Sequence, residues 1–195
     1  MKLDEIVKNK FLYSKGFNIF KFLYFCYQLL KSKRIQNKRK LYSNWGLDMM
    51  ADDFFKNKSK GIYIDVGCHH PFLNNNTYRL YKRGWSGINI DLDFNTVDMF
   101  NFFRSSDLNI EAAVSDKKEE KDFFFFHNRS AINTLSEKSG IKAKEVKKIH
   151  TTTLNSLIEN SKFKDSKINY VSIDVEGHEL NVLMGFNLKK YKPDL

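Results

Sequence analysis

Four short apolar runs, three of them carrying an aspartate at or beside their end, limit what this chain can fold into more than any other feature. They are residues 61–66 (GIYIDV), 87–90 (GINI, followed by Asp91), 109–114 (NIEAAV) and 170–175 (YVSIDV). Each has the length of a strand, and most are too continuously apolar for a strand with one wetted face. Runs of this kind are buried on both faces, as in parallel sheets covered by helices. Polar stretches of helical length separate them. The expected architecture is therefore α/β, a doubly wound, mainly parallel sheet.

Residues 67–76 read as a polar turn, and a short helix opens at Thr77 with Asn76 or Thr77 as its N-cap. A second helix follows Asp91 and runs through Phe103. After the third run, closed by Ser115 and Asp116, residues 117–122 (KKEEKD) read as a charged turn and 123–126 as one arm of an added β-ribbon. Residues 128–148 read as a polar, mobile loop with some helix, 153–159 as a turn or two of helix, and 179–184 as the helix after the fourth strand. Residues 192–195 (KPDL) read as the lead-in to a fifth core strand. The sheet is thus expected to be truncated after its fourth core strand, with an open edge that a homo-oligomer or another partner would cover.

A chain of 195 residues holds one domain plus an extension. Residues 58–195 contain the sheet, and residues 1–57 form a basic, aromatic-rich, helical extension. Aromatic residues make up 15% of the chain and the apolar residues cluster, which excludes a disordered polymer. Two cysteines, Cys26 and Cys68, exclude a disulfide framework, and no Cys/His cluster has the spacing of a structural zinc site. A reducing, cytoplasmic setting fits.

The net charge of +10 has to be located before it is interpreted. Residues 1–60 hold 14 Lys+Arg against 5 Asp+Glu, so +9 of the excess lies in the first third. The cations are mostly Lys, whereas base readout and bidentate phosphate contacts favour Arg; nucleic acid is not the expected partner. Within the extension, residues 17–30 (FNIFKFLYFCYQLL) are too few to cross a hydrocarbon core and carry no small-residue cleavage site. Lys31, Lys33, Arg34, Lys38, Arg39 and Lys40 follow directly. Two readings stand: a helix packed on the domain or on a second subunit, or a helix lying through residues 17–40 in an anionic membrane surface. The second would place a cytoplasmic protein peripherally at the inner face of a membrane.

The chemistry concentrates where strands end. Asp65 sits just before Gly67 in the first strand and Asp91 closes the second, 26 residues later. At the carboxyl edge of a doubly wound sheet, a glycine permits close approach of a ligand and a carboxylate after the second strand can accept from both ribose hydroxyls. One glycine is not a GxGxxG loop, and an Asp ending a strand also serves as a turn former. The second signal is Asp174-Val175-Glu176-Gly177-His178-Glu179 at the end of the fourth strand. So many acids beside an imidazole require cations, a helix N-terminus or a cationic ligand nearby. For Glu179, the first turn of the following helix is reason enough.

With these residues the segment from Tyr42 to Leu195 resembles the FkbM-type S-adenosylmethionine-dependent methyltransferases, a group within the class I (Rossmann-like) methyltransferase fold. The blocks that carry the resemblance come in order. Tyr42-Ser43 with Gly46 and Asp48 precede Ile64-Asp65-Val66-Gly67, with Pro71 and Asn75-Asn76-Thr77 after it. Gly84-Trp85-Ser86-Gly87 runs into Ile90-Asp91, and Ala113-Val114-Ser115-Asp116 follows. The last blocks are Ser172 to Glu179, Leu183, Gly185-Phe186 and Lys192-Pro193. Asn44, Leu47 and Cys68-His69-His70 depart from the usual pattern around the methionine pocket.

The resemblance implies S-adenosylmethionine as cofactor. Asp65 and Gly67 would form the loop on its methionine side, Asp91 would bind the ribose hydroxyls, and Ala113 and Val114 would border the adenine. Asp174 would lie beside the sulfonium or the acceptor. The implied activity is O-methylation of a hydroxyl on a sugar or other polar metabolite, in surface-glycan or natural-product assembly, with a small molecule or glycan as acceptor. A hydroxyl needs a proton acceptor; His178 is the first candidate and Glu176 the second. No metal site is assigned to the acid cluster. The alternative function is a catalytically silent, methyltransferase-like module docked on a membrane surface or assembly.

Overall fold

The computed structural model describes residues 18–127, 133–136 and 142–195. Residues 1–17 of the extension, and 128–132 and 137–141 of the segment read as a polar loop, lie outside the described residues. The sheet at the centre has four parallel strands. β1 (Ile62–Val66) lies between β2 (Ser86–Asp91) and β7 (Tyr170–Ile173), and β3 (Leu108–Glu111) pairs on the far side of β2. The chain steps outward from β1 through β2 to β3 and later returns to the other side of β1. The strand order therefore reverses at β1, and a crevice opens there at the carboxyl ends.

Alternation along β1 and β2 divides the core. Ile64, Val66, Ile88 and Ile90 face a cluster completed by Leu154, Ile158, Val182 and Phe186. Tyr63 faces the other way, into Ala51, Phe55, Leu80, Trp85 and Tyr170. Helices thus cover both faces, and burial of each large side chain contributes about 1.5–3 kcal/mol. α2 (Leu47–Phe54) and α3 (Tyr78–Lys82) cover the Tyr63 face; α5 (Leu154–Glu159) and α6 (Glu179–Met184) lie over the other. Through Ala51, α2 packs as part of the α/β core. α4 (Phe94–Phe103) joins β2 to β3, capped by Asp93, whose carboxylate accepts from the N–H groups of Asn95 and Thr96. α1 (Ile19–Arg39) lies along α4, with Phe25 ring centroids 5.6 and 6.0 Å from those of Phe102 and Phe103. A short helix, α7 (Leu188–Tyr191), completes the set.

The third apolar run is corrected by the structure. It is two strands, because β2 ends at Asp91 and Ala112 makes the last bond to it, with its N–H on the Asp91 carbonyl at 3.0 Å. Beyond that point β4 (Ala113–Ser115) finds a partner in a second sheet, parallel to β6 (Glu145–Thr153). β5 (Glu120–Phe125) pairs antiparallel to β6, so the added ribbon begins inside the expected charged turn. The end of the stretch read as loop, from Glu145, is strand. Two further boundaries move: the fourth run stops pairing at Ile173, and Thr77 precedes α3 but its hydroxyl donates to Asp65 instead of capping the helix. Residues 194–195 run beside β7, where the Asp194 and Leu195 N–H groups donate to the Asn169 carbonyl and the Val171 N–H donates to that of Leu195.

Candidate active site

A cleft of about 350 Å³ opens over the carboxyl ends of β1, β2 and β7 and is walled on one side by the ribbon. Gly67, Asp91, Ala113, Val114, Asp174, Glu176 and His178 all line it. They come from four separate places in the chain, and the strand order brings them to one edge. Gly67 has φ +80°, and a Cβ there would sit 1.9 Å from the Asp174 carbonyl oxygen. Only glycine lets the β1 and β7 loops cross so closely.

Asp91 is held in place by backbone donors. Its Oδ2 accepts from the His69 N–H and its Oδ1 from the Asp93 N–H, both at 2.9 Å. A carboxylate has roughly four acceptor positions, so this grip orients the group at the cleft edge. Nearby, Asn95 lines the cleft while nine-tenths buried, and its Oδ1 has no hydrogen-bond partner among the described residues. Three of the residues around the opening, His69, Asn74 and Glu176, hold positive φ without being glycine, at 53°, 49° and 59°. Backbone strain gathered at a cleft is common where loops are shaped for a ligand.

Asp65 lies elsewhere. It is fully buried beneath the turn, does not line the cleft, and its Oδ2 accepts from Asn75 Nδ2 at 3.0 Å and Thr77 Oγ1 at 2.9 Å. Burial pushes its carboxyl up to about 6, against the pull of Arg104. Arg104 is itself fully buried. Its guanidinium donates to Asp107 Oδ2, the Tyr63 hydroxyl, Asn75 Oδ1 and Thr77 Oγ1. The aspartate of the first strand therefore supports the turn from below, through a network that sequence spacing does not disclose.

The groups after β7 divide their roles. Glu179 Oε1 accepts from the Val175 and Gly177 N–H groups at 3.0 and 3.1 Å. Burial opposes its ionisation, but these backbone donors hold its carboxyl below the usual range. It braces the loop, as its place in the first turn of α6 suggested. His178 is buried, with Nε2 3.0 Å from Ser115 Oγ and Nδ1 3.2 Å from Ser136 Oγ. Ser115 uses its one proton on Asp116 Oδ1 at 2.7 Å, so towards His178 it must accept. Ser136 likewise uses its proton on the Gly177 carbonyl at 3.0 Å, so both hydroxyls turn lone pairs to the ring; one ring nitrogen carries the proton and the other is left as an acceptor. Burial and the Lys121 ammonium lower the affinity of the ring for a second proton, outweighing Asp116 and Glu179. The ring is neutral at pH 7.

Sequence reasoning missed the wall opposite. Phe123 and Phe125 alternate onto the cleft from β5, and Lys147 of β6 stands 4.5 Å from the Phe125 ring centroid. Thr134 closes the side, its hydroxyl donating to the Glu176 carbonyl at 3.0 Å. The run of four phenylalanines at 123–126 was the available signal. Among the described residues, no group of three His, Cys, Asp or Glu side chains is placed to hold a metal ion.

Two aspects of this arrangement are independent of any ligand. One edge offers fixed acceptors and apolar strand ends, and the other a neutral imidazole beside aromatic rings. The description "Methyltransferase FkbM domain" matches residues 65–195. No curated protein and no solved structure matches the chain.

Proposed function

The chain belongs to the FkbM methyltransferase domain family, and on that premise we propose that it methylates a hydroxyl of a sugar or other polar metabolite with S-adenosylmethionine as donor. The observation that supports this best is Asp91, fixed by two backbone N–H groups at the end of β2 and beside the Gly67 turn. The donor set suits the cofactor. Asp91 would hold the ribose hydroxyls, Asn95 Oδ1 offers an acceptor with no partner among the described residues, and Ala113 and Val114 would give the base an apolar border. Asp174 and Glu176 suit a ligand with sulfonium and ammonium charges. When bound, the cofactor supplies an electrophilic methyl group.

The chain's own part is alignment and proton transfer. The cleft has to hold the acceptor oxygen in line, an effect that reaches roughly 7–11 kcal/mol when geometry is ideal. The unprotonated nitrogen of His178 takes the hydroxyl proton as the oxygen attacks, while Ser115 and Ser136 hold the ring in place. Glu176, on the same loop, is the second acceptor within the cleft. Phe123 and Phe125 give a sugar ring apolar faces to stack on.

Calorimetric titration with S-adenosylmethionine tests the reading. Saturable binding is expected, weakened about 100-fold or more in Asp91→Ala, which removes two charge-assisted hydrogen bonds of roughly 1.5 kcal/mol or more each. Failure of the intact chain to bind would leave a silent, methyltransferase-like module instead.

A further inference from the structure

α1 is longer than any other helix described, and its two sides are unlike. Lys21, Phe25, Gln28 and Ser32, spaced three and four residues apart, are buried along one side. Lys21 Nζ reaches Asp98 Oδ2 at 2.5 Å and stands 5.4 Å from the Phe94 ring centroid, and Phe25 packs against Phe102 and Phe103. A buried cation paired in this way fixes the rotation of the helix about its axis.

The opposite side is thereby fixed outward. Ile19, Leu23, Tyr27 and Leu30 follow at the same three- and four-residue spacing and are 57–67% exposed. They form a stripe roughly 16 Å long, from the 1.5 Å rise per residue. Arg34 continues the stripe at the next step, and Lys31 and Lys33 flank it, all exposed. The helix contains no acidic residue, and residues 1–60 carry a net charge of +9. No helix among the described residues is long and apolar enough to cross a membrane.

We propose that this face of α1 lies in the surface of an anionic lipid bilayer, with Ile19, Leu23, Tyr27 and Leu30 among the acyl chains and Lys31, Lys33 and Arg34 on the lipid phosphates. An apolar stripe running into cations, with no carboxylate between them, is what an interfacial helix needs. A second copy fits less well. Side by side, parallel copies would set cations against cations, and antiparallel copies would set cations against the apolar half. The methyl-transfer reading plays no part in this argument.

Flotation of the full chain with vesicles of phosphatidylcholine and phosphatidylglycerol, 3:1, tests the proposal, with phosphatidylcholine alone as control. Binding is expected to the mixed vesicles only, and to weaken by at least tenfold in Lys31→Gln/Lys33→Gln/Arg34→Gln, given about one kcal/mol per cation at such a surface. Leu23→Ser/Leu30→Ser is expected to abolish it, with an unchanged circular-dichroism melting curve because both side chains are exposed. No flotation, equal flotation with neutral vesicles, or a dimer that Leu23→Ser/Leu30→Ser dissolves would each overturn the proposal.

Discussion

The floor of the cleft and its ribbon wall are built on opposite terms. Under the floor, Arg104, Asp107, Tyr63, Asp65, Asn75 and Thr77 are buried and hydrogen-bonded to one another, so the Gly67 turn rests on a buried polar network. In the wall, β5 is half-exposed and most of β6 is exposed, and the ion pairs Lys147–Glu145 and Lys148–Asp122 lie at the surface. Exposed pairs of this sort contribute about 0–1 kcal/mol. The difference teaches where a constant ligand and a variable one belong. On the proposed reading the cofactor would rest on the half preorganised by burial, and the half that would face the acceptor can change its side chains without disturbing the fold.

The contrast is sharpest for Arg104→Ala. It strands Asp107 as a buried charge, and a loss of about 3–5 kcal/mol is expected in urea unfolding. A value near that of a surface substitution would remove the distinction between floor and wall. Next comes Asp65, whose carboxyl is raised to about 6 in the fold from an ordinary value of 3.8. The folded chain then binds more protons than the unfolded one between these values, so this group's contribution to stability falls as pH rises from about 4 to 6. Asp65→Asn, which does not titrate, should gain on the wild type over that window by about 2–3 kcal/mol and run parallel above it.

The wall should respond more gently. Ser115→Ala removes two hydrogen bonds, about 1 kcal/mol each, and nitrogen NMR of His178 should show a shifted balance between the two ring tautomers, with Ser115→Thr restoring it. An unchanged tautomer would separate Ser115 from the proton acceptor. The smallest effect is expected for Phe125→Ala. Stability should change by less than about 1 kcal/mol because the ring is partly exposed, and S-adenosylmethionine affinity should stay within about threefold.

The same contrast explains what was legible. Ile62–Val66 and Ser86–Asp91 declare themselves because burial on both faces demands unbroken apolar runs. β6 reads EVKKIHTTT, exposed for most of its length, and leaves no period of two to detect. Gly67, Asp91, Asp174, Glu176 and His178 were placed at one sheet edge by strand ends, Ala113 and Val114 by the family resemblance, and all seven line the cleft. Asp65 was not separable from them, because the network that holds it beneath the turn is completed by Arg104, 39 residues away. His178's tie to Ser115 is equally invisible in sequence; it depends on β4 leaving the first sheet for the second.

Lys21 has one further consequence. Its ammonium rests against Asp98 and near the ring of Phe94, and Phe94 is part of the cleft wall at the start of α4. One helix therefore has the cleft at its first turn and α1 along its flank. Thermodynamic reciprocity then applies to anything that meets these two sides. By whatever factor a ligand in the cleft alters the grip of α1 on its surroundings, a surface that holds α1 alters the affinity for that ligand by the same factor.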